Sequence, residues 1–574
     1  VTDAPRPAVD QPTADQPAAV QDSAVQDSAD QDSAAQPAAP LLPRPARRPA
    51  RPSLYDRFSR HVNSDVRAQR LYRWLGPALV VVLAAVARLW NLGAAHDLMN
   101  QFDETYYVKD AWTMLQLGYE GSWPEDGNAS FLSGDVGVFS TDPTFVIHPP
   151  LGKWIIALGM LAFGPGSGWG WRITTALLGT AAVLLLMLIA RRLTRSTTFA
   201  VVAGLLMAVD GLAISMSRVA LLDTSLTFFV LLAFLFVLVD RERTMARIAE
   251  SVAARVEGDT PPLSSTASWG PLLWNRPWIL AAGAALGAAC AVKWSGVWVL
   301  AGLGVYLVVT DALARRRAGV ALWPTDALRQ GAVSFVLLVP IATVVYLASW
   351  TGWLVTDGGY DRHVADANPA TGLFSWVPLP LQSLWQFHVT MYNSAAGITS
   401  GHTYASPAWQ WPLLVRPTGM YYHHDALGVD GCTAASGCSQ VVSSIPNPLV
   451  WYAGVAAVLY LAYRFVVARD WRHAFVLTGI VVTYVPWLFF PERTVFQFYT
   501  VLMLPFLLLA LTFALQRIAA SGSADDDRRH TGQRLVLVFL GVALLLAAFW
   551  YPVISAMTVP YDFWRLHNWL PTWI

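Results

Sequence analysis

The stretch Leu151-Gly-Lys-Trp-Ile-Ile-Ala-Leu-Gly-Met-Leu-Ala-Phe-Gly164 decides how this chain is threaded. Counted as a membrane span, it inverts everything downstream and moves Arg191 and Arg192 to the far side. At about 14 residues it is short of the roughly 20 that a helix needs to cross a bilayer. It therefore reads as a surface or re-entrant helix, with Pro149 and Pro150 at its start. The rest of the chain supports a membrane setting. Of 574 residues, 55% are hydrophobic and 13% charged, with a mean hydropathy of +0.42, against about 25% charged in soluble domains. The 26 tryptophans suit aromatic belts at two interfaces. A net charge of +1 leaves partners undecided, and nothing points to nucleic acid.

Apolar runs place about eleven spans, at roughly 75–93, 171–190, 197–215, 222–240, 277–292, 296–311, 329–353, 448–466, 473–490, 494–516 and 534–553. With an inside N-terminus, every arginine cluster then falls on the cytoplasmic side. The clusters are Arg57 to Arg73, Arg191 to Arg195, Arg241 to Arg247, Arg315 to Arg317, Arg464 to Arg472, and Arg517 with Arg528 and Arg529. The fold class is thus an all-α integral membrane protein with the C-terminus outside. Residues 1–52, rich in Ala, Pro, Asp and Gln, read as a disordered cytoplasmic tail, and 53–74 as a basic juxtamembrane segment. Residues 75–553 form the polytopic domain and 554–574 a short outside tail. Two long outside segments, 94–170 and 354–447, carry surface helices. One, over 380–392, places Leu381, Leu384, Trp385, Val389 and Tyr392 at helical spacing, with His388 sharing the face of Tyr392.

Cys432 and Cys438 lie in the second outside segment. A zinc site using His423 and His424 is one reading; a disulfide is preferred, since that compartment is oxidising. Cys290 sits in an apolar helix.

The chemistry concentrates near the outer surface. Asp103 and Glu104 open a helix, where an acidic pair serves as cap and dipole partner. Yet His148, Lys153, Arg172, Arg218, Asp223, Lys293 and Arg493 fall at the same level, at outer span ends or in the first loop. Cations are disfavoured on that side, so their gathering indicates a site. A carboxylate with several cations beside a bilayer suits transfer from a lipid phosphate. Cations stabilise the leaving phosphate and the carboxylate accepts a proton from an incoming hydroxyl. The helix N-terminus is expected to keep Asp103 ionised.

These residues fall in motifs: Arg88-Leu-Trp, Phe102-Asp103-Glu104, His148-Pro-Pro-Leu-Gly-Lys153, Trp171-Arg172-Ile173, Ser217-Arg218-Val-Ala-Leu-Leu-Asp223, Ser383-Leu-Trp-Gln-Phe-His388, Gly401-His-Thr-Tyr and Trp411-Pro-Leu-Leu-Val-Arg416-Pro, with Tyr421-Tyr422 following. In this order the chain resembles the bacterial, actinobacterial-type protein O-mannosyltransferases, polytopic enzymes of the GT-C type, over roughly 75–553. The resemblance implies transfer of mannose from polyprenyl-phosphate mannose to Ser or Thr hydroxyls of proteins crossing the cytoplasmic membrane, by an inverting single displacement. It implies Asp103 as base, with Glu104 positioning the acceptor or supporting Asp103. Arg218, Arg493 and Lys153 would bind phosphate, and Arg88, His148, Arg172, Asp223 and His388 would support. Lys293 matches no motif and is left out of the site. No cofactor is implied, and a divalent metal is possible but not favoured. Partners are the donor, Ser/Thr-containing acceptors, membrane lipids and, by the acceptor logic alone, the secretion channel. The rival readings are the same scaffold moving another lipid-linked sugar to a lipid or glycan, and a transporter.

Overall fold

The computed structural model describes residues 53–95, 102–258, 269–520 and 526–574. The expected tail over 1–52 lies outside the described residues. The first helices are α1 (Leu54–Ser64) and α2 (Val66–Leu89). The segment after α2 carries α3 (Glu104–Leu117), α4 (Gly127–Leu132) and α5 (Leu151–Phe163). Then come α6 (Gly168–Thr194), α7 (Thr197–Ala208), α8 (Gly211–Ser217) and α9 (Leu222–Gly258). They are followed by α10 (Pro277–Val292), α11 (Ser295–Arg317) and α12 (Trp323–Ser349). The second long segment holds α13 (Thr351–Val355), α14 (Val364–Ala367) and α15 (Leu379–Ala396). The chain closes with α16 (Pro448–Ala468), α17 (Trp471–Tyr484), α18 (Leu504–Ala520), α19 (Asp526–Ile554) and α20 (Tyr561–Arg565).

The protein is a helical, multi-pass membrane protein. Among the described residues, eight helices are long and apolar enough to cross a bilayer, and nine if α7 and α8 count as one span bent by 61°. The remaining two of the eleven expected spans coincide with α10 and α18, which are shorter. The α7–α8 bend has a chemical cause. Asp210 accepts the Ala213 N–H at 3.1 Å as the cap of α8, and its other oxygen takes the Asn447 N–H at 3.0 Å.

Helix α5 is the segment that decides the threading. At 1.5 Å per residue its 13 residues span about 20 Å, against about 30 Å of hydrocarbon. It folds back on α6 so closely that a Cβ at Gly159 would meet the Gly170 carbonyl oxygen at 2.3 Å. Lys153, Ile156 and Met160 are buried, whereas Leu158, Leu161 and Phe163 are exposed.

The bundle core is apolar and close-packed; Phe234 stands 5.2 Å from Phe475 and 4.5 Å from Phe506. Away from the active-site end, Arg276 pairs with Asp240 at 2.6 Å and Asp311 at 2.7 Å, tying α9 to α11 with each charge paired, as burial requires.

Two expectations need correction. The segments expected outside are not purely helical: β1 (Thr418–Asp425), β2 (Cys438–Ser444) and β3 (Thr558–Pro560) form an antiparallel sheet, with Tyr422 opposite Val441 and Ser439 opposite Val559. The short segment expected after α19 thus contributes β3 to the sheet and then forms α20. In α15, Leu384, Phe387 and Met391 form the packed face while Trp385, Val389 and Tyr392 are exposed, so Leu384 does not share a face with Trp385. The Cys432–Cys438 disulfide is present, which excludes the zinc reading of those thiols.

Candidate active site

Phe102 enters α3 with a φ of 60°, a left-handed conformation uncommon outside glycine. Its ring is held edge-on by Phe496 and Phe498, at 5.1 and 5.4 Å. The residue that follows, Asp103, occupies the cap position of α3 but makes no side-chain capping bond. Instead the Tyr107 hydroxyl donates to its Oδ2 at 3.3 Å. Its Oδ1 has no hydrogen-bond partner among the described residues, and the side chain is half-buried. The cap expectation is thus corrected, and so is the idea that the helix end keeps Asp103 acidic. Burial pushes its carboxyl above the ordinary value, while the Lys293 charge and the Tyr107 hydroxyl act in the opposite direction.

Lys293 is the residue that sequence reasoning left out. It sits in the break between α10 and α11, donates to both Asp223 oxygens at 3.0 and 3.2 Å, and lies 4.2 Å from the centre of the Tyr499 ring. The signal available in sequence was an ionisable residue inside an apolar run, costly unless paired.

Beside Lys293 opens a cavity of about 490 Å³ between α11, α12, α15 and the segment before Arg493. Its walls are mostly aromatic and aliphatic, and its only formally charged lining residues are Lys293 and Arg493. Arg493 donates its Nε–H to the Ala395 carbonyl at 2.8 Å and lies over Trp487, but its buried Nη1 has no partner among the described residues. A buried donor without an acceptor is costly. A ligand oxygen would relieve it.

His148 and His388 also line the cavity. Burial and the neighbouring Lys293, Lys153 and Arg493 charges push His148 far below the ordinary imidazole value, so it is neutral. Burial likewise lowers His388. Its Nδ1 lies 2.6 Å from the Leu384 carbonyl, which requires a proton there, so Nε2 accepts from the Tyr346 hydroxyl at 2.6 Å. Tyr346 in turn accepts the Trp294 indole N–H at 3.0 Å.

The other expected site residues are occupied elsewhere. Glu104 is fully buried: Arg172 donates Nε–H to one oxygen at 2.9 Å and Nη2–H to the other at 3.0 Å, and the Ala220 N–H adds a bond at 2.8 Å. Arg172 gives its remaining N–H groups to the carbonyls of Leu92, Ala94 and Ala95. Arg218, expected to bind phosphate, gives its two Nη groups to the carbonyls of Arg88 at 3.0 Å, Trp90 at 2.7 Å, Asn91 at 3.0 Å and Ser555 at 3.1 Å. Lys153, expected to do the same, is buried between Glu120 and Asp110. Arg88 donates to Ser217 and to the Met207 and Ala208 carbonyls, joining α2 to α7 and α8.

Residues 78–254 match the family described as dolichyl-phosphate-mannose-protein mannosyltransferase, and 380–573 match the C-terminal four-transmembrane region of protein O-mannosyltransferases. The chain is similar to the polyprenol-phosphate-mannose–protein mannosyltransferase of Mycobacterium tuberculosis, with 34% identity over 88% of this chain and 92% of that one. It is similar to the same-named protein of Corynebacterium glutamicum, with 26% identity over 88% and 93%. In fold it resembles the S. cerevisiae protein O-mannosyltransferase Pmt1–Pmt2 complex bound to the sugar donor, with a TM-score of 0.61, 15% identity, and coverage of 88% and 92%.

Proposed function

The chain belongs to the protein mannosyltransferase family and is a glycosyltransferase, and from that premise we propose that it moves mannose from polyprenyl-phosphate mannose to Ser or Thr hydroxyls of proteins. Asp103 is the base. The acceptor hydroxyl oxygen attacks the anomeric carbon as the carbon–oxygen bond to the phosphate breaks. The hydroxyl proton goes to Asp103, and polyprenyl phosphate leaves with the bonding electrons. One displacement inverts the anomeric centre and needs no covalent sugar–enzyme intermediate. Lys293 and Arg493 hold the phosphate, where a charge-assisted bond stabilises the leaving group most, and the apolar walls receive the start of the lipid chain.

The observation that carries this reading is the pairing of a carboxylate oxygen left unbonded on Asp103 with an apolar cavity whose charged lining is two cations, one with an unused buried donor. The same arrangement speaks against a transporter, since Asp103 and Tyr107 lie in the segment after α2 and Lys293 in the break between α10 and α11, at helix ends and not in the middle of the spans. We further place the reaction on the outer face of the cytoplasmic membrane, with the N-terminus inside, because that orientation puts the arginine clusters inside. The acceptors are then secreted or membrane proteins.

The test is transfer of labelled mannose from polyprenyl-phosphate mannose to a Ser/Thr-rich peptide by membranes carrying the protein. Wild type labels the peptide, and Asp103→Asn does so at about 10²–10⁴-fold lower rate. Equal labelling by that variant refutes the base; labelled lipid or glycan without labelled peptide refutes the acceptor. For orientation, Arg192→Cys is informative because Cys290 is buried and the other two cysteines are bonded. An impermeant thiol reagent should label it only after the membrane is opened.

A further inference from the structure

His402 stands beside the base yet outside the lipid cavity. Its ring packs edge-on against Phe102, the chain neighbour of Asp103, at 5.5 Å, and against Phe496 at 5.0 Å. It does not line the cavity that Lys293 and Arg493 share. Gripped by two rings, its imidazole is nonetheless solvent-exposed.

The ring's chemistry is set by the backbone. The Tyr404 N–H donates to His402 Nδ1 at 3.1 Å, inside a turn closed by the Ala405 N–H on the His402 carbonyl at 2.9 Å. A nitrogen that accepts a hydrogen bond carries no proton, so the neutral ring bears its proton on Nε2. Nε2 has no partner among the described residues. In this tautomer His402 presents its Nε2–H as a hydrogen-bond donor.

We infer that His402, through its Nε2–H, binds a backbone carbonyl of the acceptor polypeptide next to the Ser or Thr that reacts. The inference rests on the proposed protein-acceptor function and adds the acceptor subsite. Three features direct it to the acceptor and away from the sugar phosphate. The ring is solvent-exposed. It is not among the cavity's lining residues. And it offers a neutral donor, which matches a peptide carbonyl better than a phosphate.

Steady-state kinetics with each substrate varied in turn provide the test. His402→Phe keeps the edge-on packing with Phe102 and Phe496 but removes the donor. The expected result is a roughly three- to tenfold higher KM for a Ser/Thr peptide, the effect of one neutral hydrogen bond, with the KM for polyprenyl-phosphate mannose and kcat nearly unchanged. His402→Gln, whose amide N–H reaches a similar position, should restore most of the peptide KM, which a merely structural role would not predict. An unchanged peptide KM in His402→Phe overturns the inference. So does a rise confined to the donor KM, which would assign the ring to the sugar, or a fall in kcat alone, which would assign it to the chemical step. If wild type labels no peptide at all, the protein-acceptor function itself fails, and that outcome is visible before any variant is made.

Discussion

Adjacent carboxylates Asp103 and Glu104 should fail in opposite ways when each is made its amide. Glu104→Gln keeps the shape and removes the charge. In the native site both Glu104 oxygens accept from Arg172, and one also accepts the Ala220 N–H. Glutamine offers one acceptor oxygen and turns an NH2 group toward a guanidinium donor, so one charge-assisted bond is lost and a donor faces a donor. Arg172, about 1% exposed, is left with its charge uncompensated. Breaking a buried pair from one side costs about 3–5 kcal/mol, a large share of the roughly 5–15 kcal/mol that keeps a domain folded. Asp103→Asn loses little by comparison, because its amide oxygen still accepts from Tyr107 and the side chain is partly in water. Thermal unfolding of the purified proteins in detergent, with transfer rate per folded molecule measured well below the transition, separates the two. Glu104→Gln should unfold at clearly lower temperature while its folded fraction retains most of its turnover. Asp103→Asn should unfold like wild type and be inactive. A Glu104→Gln protein as stable as wild type and as dead as Asp103→Asn would refute the assignment of Glu104 to anchoring.

Three further outcomes follow from the same geometry. Arg493→Gln removes the donor left over in the cavity and should raise the KM for the lipid donor about 10- to 150-fold, the range for a charge-assisted hydrogen bond of roughly 1.5–3 kcal/mol, with the peptide KM unchanged. Lys293→Met removes the charge that opposes the burial of Asp103 and frees the Asp223 carboxylate, two changes that both raise Asp103 further. Because a base works only when deprotonated, activity disappears as pH falls through its folded value, so the acid limb of the rate profile should move to higher pH; an unmoved limb would detach Lys293 from Asp103. Asp110 shares Lys153 with the nearer Glu120, and burial raises it to about 7. Its folded value lies above its unfolded one, so its protonation favours the fold at low pH and that contribution is lost as pH rises toward and through about 7. Asp110→Asn should accordingly flatten the decline of unfolding temperature between about pH 4 and 7.

The helices were legible because their causes are local. Apolar runs set the spans, Ser167, Ser196, Asp210 and Asn447 mark helix starts, and the shortness of Leu151–Phe163 argues by length alone against a crossing. The sheet was not legible, because β1 and β2 are separated by the disulfide loop and β3 joins them from more than a hundred residues away. Within the candidate site, Asp103 is proposed from its motif and its geometry together. Lys293 was missed because its meaning comes from Asp223, on a different helix, and from the cavity beside it.

The cations that gather near this end of the bundle divide by what their donors have left to do. A helix ends with four unsatisfied carbonyls, and an apolar surrounding supplies no water to meet them. Arg218 meets the carbonyls at the end of α2, and Arg172 those of the turn that follows. An arginine suits that task because its five donors fan out in a fixed plane. A count of charges at one level therefore overstates the site, since Arg218 and Arg172 are engaged in closing the backbone and Lys153 in pairing with buried carboxylates. Arg218 also has a buried Nε without a partner among the described residues, yet it does not line the cavity beside Lys293. Two conditions must hold together for a cation here to serve a ligand: an unspent donor or a compact charge, and a wall on the cavity. Arg493 meets them with its free Nη1, and Lys293 with a point charge whose held position faces both the cavity and the base. Exchanging them tests the distinction. Arg493→Lys keeps the charge but replaces the fork, so it should recover only part of the donor affinity lost in Arg493→Gln, whereas Arg218→Lys should lower the unfolding temperature and leave the donor KM of the folded enzyme unchanged. A donor KM that rises with Arg218→Lys and not with Arg493→Lys would reverse the assignment of the two arginines.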